Sequence, residues 1–150
     1  MSPRNQETVV NRTLKARLDR SFELTFDLIV HLDETALDLA LPSLPSNRIA
    51  EQLWCIIGAR ESYTKAIATG GPMVFACSLT TPLVKPAVLA ALAATRIRLG
   101  SIDFVTLGEA QIALAFDLLE HELQHHGQLI RFVYGNKLTF PDSWHTRYTV

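Results

Sequence analysis

Apolar residues recur at alternating spacings of three and four positions along most of this chain, which is the period of one face of an α-helix. No stretch alternates between apolar and polar residues for long enough to predict a β-sheet. Four long helical segments with short connections account for most of the 150 residues, a length typical of one domain. The sequence therefore predicts an all-α fold, a single four-helix bundle over residues 1–150.

The first two helices are bounded by residues typical of helix ends. We expect the first helix at about Thr8–Leu32, then a short helical turn within Asp33–Leu41 that ends before Pro42. Ser46 is a natural N-cap for a second helix that continues to about Ala68, where glycines and a proline follow. The predicted buried faces are Leu18, Phe22, Thr25, Ile29 and Leu32 on the first helix, and Ile49, Leu53, Ile56, Tyr63 and Ile67 on the second.

The third helix, from about Pro86 to Gly100, is apolar almost all round. Such a helix is expected at the centre of a bundle or at a subunit interface. Charged residues make up only 19% of the chain, below the roughly 25% of a typical soluble domain. We therefore expect a homodimer to which the first or third helix contributes.

The fourth helix is expected over about Gly108–Tyr134, and the tail Lys137–Val150 as an irregular strap across the bundle. Gly135 and Asn136 form the predicted stop between them. The predicted buried face of the fourth helix is Ile112, Phe116, Leu119, Leu123, Ile130 and Val133.

Composition excludes several classes of function. Fourteen basic and fifteen acidic residues give a net charge of −1, which is too balanced for an electrostatic nucleic-acid binder. The longest unbroken apolar run, Ala87–Ala94, is far shorter than the roughly 20 residues of a membrane-spanning helix. Two cysteines are too few for a disulfide scaffold, and the polar start has no apolar signal segment. We expect a cytoplasmic protein without a membrane or nucleic-acid partner.

Three of the five histidines lie within one short segment of the fourth helix. His121 and His125 are one turn apart on the same face, which is the spacing that lets two imidazoles bind one metal ion. The alternative is a pair of core histidines satisfied by hydrogen bonds. His126 points about 100° away from His125 and is expected to be exposed or hydrogen-bonded instead of a third ligand.

The same segment contains the spacing of a zinc peptidase motif, His121-Glu122-x-x-His125, in which the glutamate acts as a general base. The extended form of that motif needs a glycine and a third histidine further along, where this chain has Gln128 and Arg131. A peptidase is therefore kept as a minor alternative.

Combined with the helix pattern, this segment resembles the last helix of the DinB/YfiT-like superfamily of small bacterial metal-binding four-helix bundles. The matching residues of that helix are His121, His125, Gly127 and Gln128, followed by Leu129-Ile130-Arg131. A second match is the segment 49–61, which is similar to the family's second helix. Gly135, Pro141 and Trp144 resemble its tail.

The resemblance implies a third metal ligand from the second helix, where the family has a histidine and this chain has Cys55. A thiolate can replace an imidazole as a ligand and favours zinc, with nickel or manganese as further candidates for the divalent metal. The expected site is therefore His121, His125 and Cys55. Two other interpretations of Cys55 stay open, a small buried hydrophobic residue and a nucleophile with a histidine as its base.

Other polar residues have expected supporting roles. Glu122 is a candidate for orienting an imidazole as a hydrogen-bond acceptor, and His31 for a fourth ligand or such a partner. Arg60 and Glu61 are expected to be solvated or paired, and Cys77 has no identifiable partner.

The resemblance implies a metal-dependent enzyme acting on small molecules, a thiol S-transferase or a hydrolase, with a low-molecular-weight thiol as a further cofactor. The catalytic residues are unknown. The alternative is a non-catalytic dimeric bundle, a binding or stress-related interaction protein, in which the metal is structural or absent.

Overall fold

The computed structural model describes residues 3–150, and the side chains from residue 8 onward, so the first two residues of the predicted domain lie outside it. Every regular element in this range is helical, which confirms the all-α prediction. An isolated bridge joins Ala40 and Arg48. The helices are α1 (Pro3–His31), α2 (Ile49–Thr69), α3 (Lys85–Gly100), α4 (Glu109–Gly135) and α5 (Asp142–Arg147), with 3-10 turns at Glu34–Asp38 and Phe104–Thr106.

The four long helices all contribute to two buried apolar clusters. α1 packs against α3 and α4, and α2 packs against the same two helices, so α1 and α2 lie diagonally across the core. The short helix α5 packs against α1. None of the described helices is both long and apolar enough to span a lipid bilayer.

The predicted buried face of α1 is confirmed, because all five of its residues are at most 4% exposed. On α2 the four aliphatic residues of the predicted face are fully buried, whereas Tyr63 is half-buried. Gly70 ends α2 in the left-handed conformation at φ +68°, as glycines at helix ends commonly do.

The predicted N-cap of α2 is wrong. The helix begins at Ile49, and Arg48 occupies the cap position, where its backbone N–H donates to the Glu51 carboxylate at 2.5 Å. The Ser46 hydroxyl instead accepts a hydrogen bond from the Leu41 N–H at 2.8 Å. Ser46 therefore stabilises the preceding loop, and Glu51 in the first turn of α2 accepts the hydrogen bond at the helix start.

α3 is not the central helix of a single chain, contrary to one of the two expectations. It buries Val88, Leu92, Thr95 and Leu99, whereas Ile97 on its outer face is 75% exposed. α2 is the more enclosed helix, because 13 of its 21 residues are buried, whereas 4 of the 16 residues of α3 are buried. A Cβ atom at Gly58 would lie under 3.0 Å from both the ring of Phe75 and the Cβ of Cys77, so a side chain there would force one of these residues to move.

The predicted buried face of α4 is wrong in part: Val133 is fully buried and Ile112, Leu119 and Ile130 are half-buried, whereas Phe116 is 42% exposed and Leu123 is 36% exposed. The helix is rotated so that polar residues occupy the middle of its buried face, where they have partners on other helices. The buried residues of α4 are Ala115, Leu118, Glu122, His125, His126, Leu129, Phe132 and Val133.

The tail crosses the bundle as predicted, but it is not irregular throughout. Residues 142–147 form α5, and Trp144 on this helix is fully buried. Its indole N–H donates to the Leu24 carbonyl of α1 at 2.7 Å. A buried indole needs such a partner, so this hydrogen bond fixes α5 against α1.

Candidate metal site

The two long helices α2 and α4 bring Cys55, His121 and His125 together. The Sγ atom of Cys55 lies 3.6 Å from Nε2 of His121. One ligating atom from each of the three residues lies within 4.8 Å of the other two. In a tetrahedral zinc site with Zn–S of about 2.3 Å and Zn–N of about 2.0 to 2.1 Å, sulfur and nitrogen ligands are about 3.5 Å apart. The distance between Cys55 and His121 therefore fits a shared metal ion, and the ligating atom of His125 lies within 4.8 Å of both.

The two histidines stand one turn apart on α4, with ring centroids 4.5 Å apart and planes tilted by 56°. Nδ1 of His121 is buried and has no hydrogen-bond partner among the described residues. A buried polar atom without a partner is costly, and such exceptions often mark a site that takes an ion or ligand. Nε2, however, is the nitrogen that faces Cys55, so an ion held between these two atoms would leave Nδ1 without a partner. The orphaned nitrogen is therefore not itself evidence for a metal.

Gln52 orients His125 in this group, a role that the helix pattern did not predict. The Nδ1–H of His125 donates to Oε1 of Gln52 at 2.6 Å, and the Gln52 amide donates in turn to Oδ1 of Asn47 at 2.9 Å. Because the amide oxygen can only accept, the His125 proton is on Nδ1 and Nε2 carries a free lone pair. The signal available in the sequence was the three-residue spacing of Gln52 and Cys55, which puts both on one face of α2.

Burial keeps all three candidate ligands uncharged when no ion is bound. It lowers the pKa of His125 to about 4, with a smaller contribution from the neighbouring His121. Burial likewise lowers the pKa of His121 and raises the pKa of the Cys55 thiol. At neutral pH the cysteine is therefore a thiol beside a neutral imidazole. This state does not favour a nucleophilic thiolate paired with an imidazolium.

Glu122 does not support the candidate ligands. Its fully buried carboxylate forms an ion pair with Arg60, whose Nε donates to Oε2 at 3.0 Å and whose Nη2 donates to Oε1. The Thr25 hydroxyl donates to Oε1 at 2.6 Å. Burial alone would raise the pKa of Glu122, but Arg60 and His126 outweigh it and hold that pKa well below its usual range. Glu122 therefore does not orient a candidate imidazole ligand, as was expected, but belongs to a separate buried network.

Arg60 is the centre of this second network. It is fully buried, its guanidinium lies 3.8 Å from the centroid of the Phe22 ring, and its Nη1 donates to the Thr95 hydroxyl at 3.2 Å. With Glu122 as its ion-pair partner, one side chain from α2 contacts α1, α3 and α4. The expectation that Arg60 is paired is confirmed, whereas a solvated Arg60 is excluded.

His126 belongs to the same network and not to the candidate ligands. Its Nε2 is 2.8 Å from the Thr25 hydroxyl, and its Nδ1 is 2.7 Å from the Tyr148 hydroxyl. Of the two expectations for His126, the hydrogen-bonded one is confirmed.

His31 lies away from the group, so its expected roles as a fourth ligand or supporting residue are wrong. It is the last residue of α1 and is exposed, with Nε2 2.8 Å from the Thr139 hydroxyl of the tail. Glu61 is half-buried and accepts hydrogen bonds from the backbone and hydroxyl of Ser78.

The fold and this site define an all-helical protein with a Cys/His/His group that can hold a metal ion. Neither the protein-family models nor the curated proteins and solved structures compared with this chain include a match.

Proposed function

We propose that this chain is a metal-dependent enzyme of the DinB-like type that holds a divalent cation at Cys55, His121 and His125. The observation that carries the proposal is the convergence of one ligating atom from each residue within 4.8 Å, across two helices. The resemblance of the last-helix segment to the DinB/YfiT-like pattern supports the family assignment. Zinc is the first choice of metal, because it accepts thiolate and imidazole ligands together, and nickel or manganese is the second.

Three protein ligands leave a tetrahedral ion with one open position, as in catalytic zinc sites. A cation bound there would act as a Lewis acid and lower the pKa of a coordinating water or thiol. Cys55 and His121 are half-buried, so the group has an accessible side. This fits thiol transfer or hydrolysis on a small molecule, with a low-molecular-weight thiol as the further cofactor.

An apolar rim lies next to the accessible side of the group. Phe75 covers Gly58, which is one turn from Cys55 on the same face of α2. The rings of Trp54 and Phe75 have centroids 5.3 Å apart and are 39% and 42% exposed. Such a rim suits the apolar part of a small-molecule substrate.

The peptidase alternative has the weakest support. A zinc peptidase needs its glutamate free to take a proton from water. The carboxylate of Glu122 is instead buried and held by Arg60 and Thr25, with a depressed pKa.

The rival proposal is a non-catalytic homodimer, a binding or stress-related interaction protein with a structural metal or none. The observation that favours it is exposed apolar surface on two helices. Ile97 of α3 is 75% exposed, and Val9 and Val30 of α1 are each 51% exposed. Light scattering at micromolar concentration tests the dimer, and a monomer would exclude it. A cytoplasmic location belongs to both proposals, since both cysteines are free thiols.

Elemental analysis of protein purified without a histidine tag tests the site directly. We expect about one zinc per chain in the unmodified protein and a strong loss in His125→Ala, with an exposed histidine variant, His145→Ala, as the matched control. Absence of metal from protein grown with supplementary zinc, nickel and manganese would contradict the proposal. Turnover of electrophiles by the metal-loaded protein with thiol cofactors then separates the enzyme from the non-catalytic bundle.

A further inference from the structure

A cavity of about 130 Å³ lies between α1, α4 and the tail. It is separate from the candidate metal site, which lies between α2 and α4. Three arginines and three leucines make up most of its wall. The lining residues are Arg17, Arg20, Ser21, Leu24, Leu119, Leu123 and Arg147.

The three arginines bring positive charge together on the wall of this cavity, where Arg17 and Arg20 are exposed and Arg147 is half-buried. Arg17 and Arg20 are one turn apart on α1, and Arg147 is the last residue of α5. Within residues 8–150, none of the three guanidinium groups forms an ion pair with a carboxylate. Burial lowers the pKa of Arg20, and Arg147 and Arg17 lower it further. Like charges that line one cavity repel one another, and a bound anion would relieve that repulsion.

An adjoining cavity of about 370 Å³ shares Arg20, Leu24 and Arg147 with the first. The hydroxyl oxygen of Ser143, on its wall, is buried and has no hydrogen-bond partner among the described residues. A buried hydroxyl normally has a partner, so this unpaired hydroxyl points to a polar ligand in the second cavity, next to the arginines that both cavities share. Glu23 and Asp27 also line the second cavity, whereas the first has no carboxylate on its wall. An anion is therefore favoured at the shared arginines and in the first cavity.

The rest of the first cavity is apolar. Leu24 is 5% exposed, and Leu119 and Leu123 extend the same wall from α4. An apolar cavity of about 150 Å³ takes a benzene-sized molecule. A free phosphate would leave the leucines without a partner, whereas a carboxylate attached to a ring or a short chain would use both parts of the wall.

We propose that this cavity binds a small monocarboxylate that carries an apolar group of about six carbons. The carboxylate lies against the guanidinium groups of Arg20 and Arg147, which match its planar, bidentate geometry. The apolar group packs against Leu24, Leu119 and Leu123. This site is a second binding site of the chain and does not depend on the metal proposal.

Titration of the full-length protein with benzoate and hexanoate tests the site, by NMR chemical shifts and by thermal midpoint at constant ionic strength. The controls are acetate, benzyl alcohol and inorganic phosphate. Benzoate should bind saturably, at least about tenfold more tightly than acetate or benzyl alcohol. The double variant Arg20→Gln/Arg147→Gln should weaken benzoate binding about tenfold or more, whereas the exposed α4 variant Arg131→Gln should leave it unchanged.

Leu123→Gln provides a second test that leaves the charges in place. It should weaken benzoate binding about fivefold and leave acetate binding unchanged. Equal binding of phosphate and benzoate would overturn the carboxylate assignment, since it would show an anion site to which the leucines contribute no binding. Equal binding of benzyl alcohol and benzoate would overturn the role of the arginines. Absence of saturable benzoate binding would overturn the proposal as a whole.

Discussion

The imidazole of His125 on α4 donates a hydrogen bond of 2.6 Å to the side-chain oxygen of Gln52 on α2. This contact joins the two helices that carry the candidate ligands, and it fixes the proton of His125 on Nδ1. A hydrogen-bond acceptor on the ring nitrogen that does not bind the metal orients a metal-binding histidine and increases the basicity of its ligating nitrogen. Gln52 is therefore a positioning residue of the candidate site, although it offers no ligand itself.

Gln52→Leu should weaken zinc binding about 10-fold to 100-fold, the loss typical when the partner of a metal-binding histidine is removed. The ring of His125 would lose its fixed tautomer while all three ligands remain. A competition titration against a chromophoric zinc chelator measures the change. Gln124→Leu, at an exposed position of α4, is the matched control. Equal zinc affinity in the two variants would show that Gln52 has no part in metal binding.

The metal-free protein should lose stability as the pH falls from about 6.5 to about 4. The pKa of His125 is lowered from 6.5 to about 4 by burial and by His121, so within this window the unfolded chain binds more protons than the folded one. The free energy of unfolding therefore increases with pH across the window. Urea denaturation at several pH values measures this dependence.

The His125→Asn variant isolates the contribution of this one group. Its unfolding free energy should change less between pH 6.5 and pH 4 than that of the unmodified protein. His145→Asn, in which an exposed histidine is replaced, should keep the original dependence. A pH dependence that is the same in both variants would mean that His125 is not the group that titrates.

The helical fold could be predicted from the sequence because most of the core is apolar. On α1 the spacing of Leu18, Phe22 and Ile29 identified a face that is fully buried. On α4 the same reasoning failed, because the periodicity argument treated ionisable residues as solvent-facing. Glu122 and His126 are buried there, and the ion-pair partner of Glu122 is 62 positions away in the chain.

The candidate site was predictable in part for a similar reason. Helix geometry alone relates His121 to His125, since four residues make one turn. Cys55 is 66 positions from His121, so only the resemblance to a known family linked the two residues. Gln52 was missed because a glutamine on a helix has many uses, and its contact with His125 follows from the packing of α2 on α4. Convergence of the three ligands is a structural finding, whereas metal binding remains a proposal.

Breaking the buried ion pair of Arg60 and Glu122 should be strongly destabilising. Arg60→Met would leave the Glu122 carboxylate buried without its cation, at a cost of about 3 to 5 kcal/mol in the free energy of unfolding. The double variant Arg60→Met/Glu122→Leu should recover most of this loss, because apolar residues can replace a buried pair at little cost. Urea denaturation of both single variants and the double variant measures the coupling. If the losses in unfolding free energy of the two single variants simply add up in the double variant, Arg60 and Glu122 are not coupled.

Cys55→Ala should remove most of the metal affinity if the thiolate is a ligand, whereas Cys55→His should restore it and shift the preference toward nickel or manganese. Cys77 provides the matched control, because it is also a half-buried free thiol but donates to the Trp54 carbonyl at 3.3 Å and is not one of the three grouped residues. Cys77→Ala should keep its metal. Metal content per chain and thermal midpoint, with and without chelator, measure all three variants.

The opposite outcome would mean that Cys55 is a half-buried packing residue and not a metal ligand. Cys55→Ala would then keep the metal content of the unmodified protein, and Cys55→His would destabilise the bundle by about 1 to 3 kcal/mol through overpacking. Binding also requires the Cys55 proton to leave, because burial raises the pKa of this thiol while both imidazoles are already neutral at pH 7. One proton should therefore be released per zinc bound by the unmodified protein and none by Cys55→His. Retention of zinc by Cys55→Ala with no proton release would refute the mixed Cys/His site and favour the non-catalytic bundle.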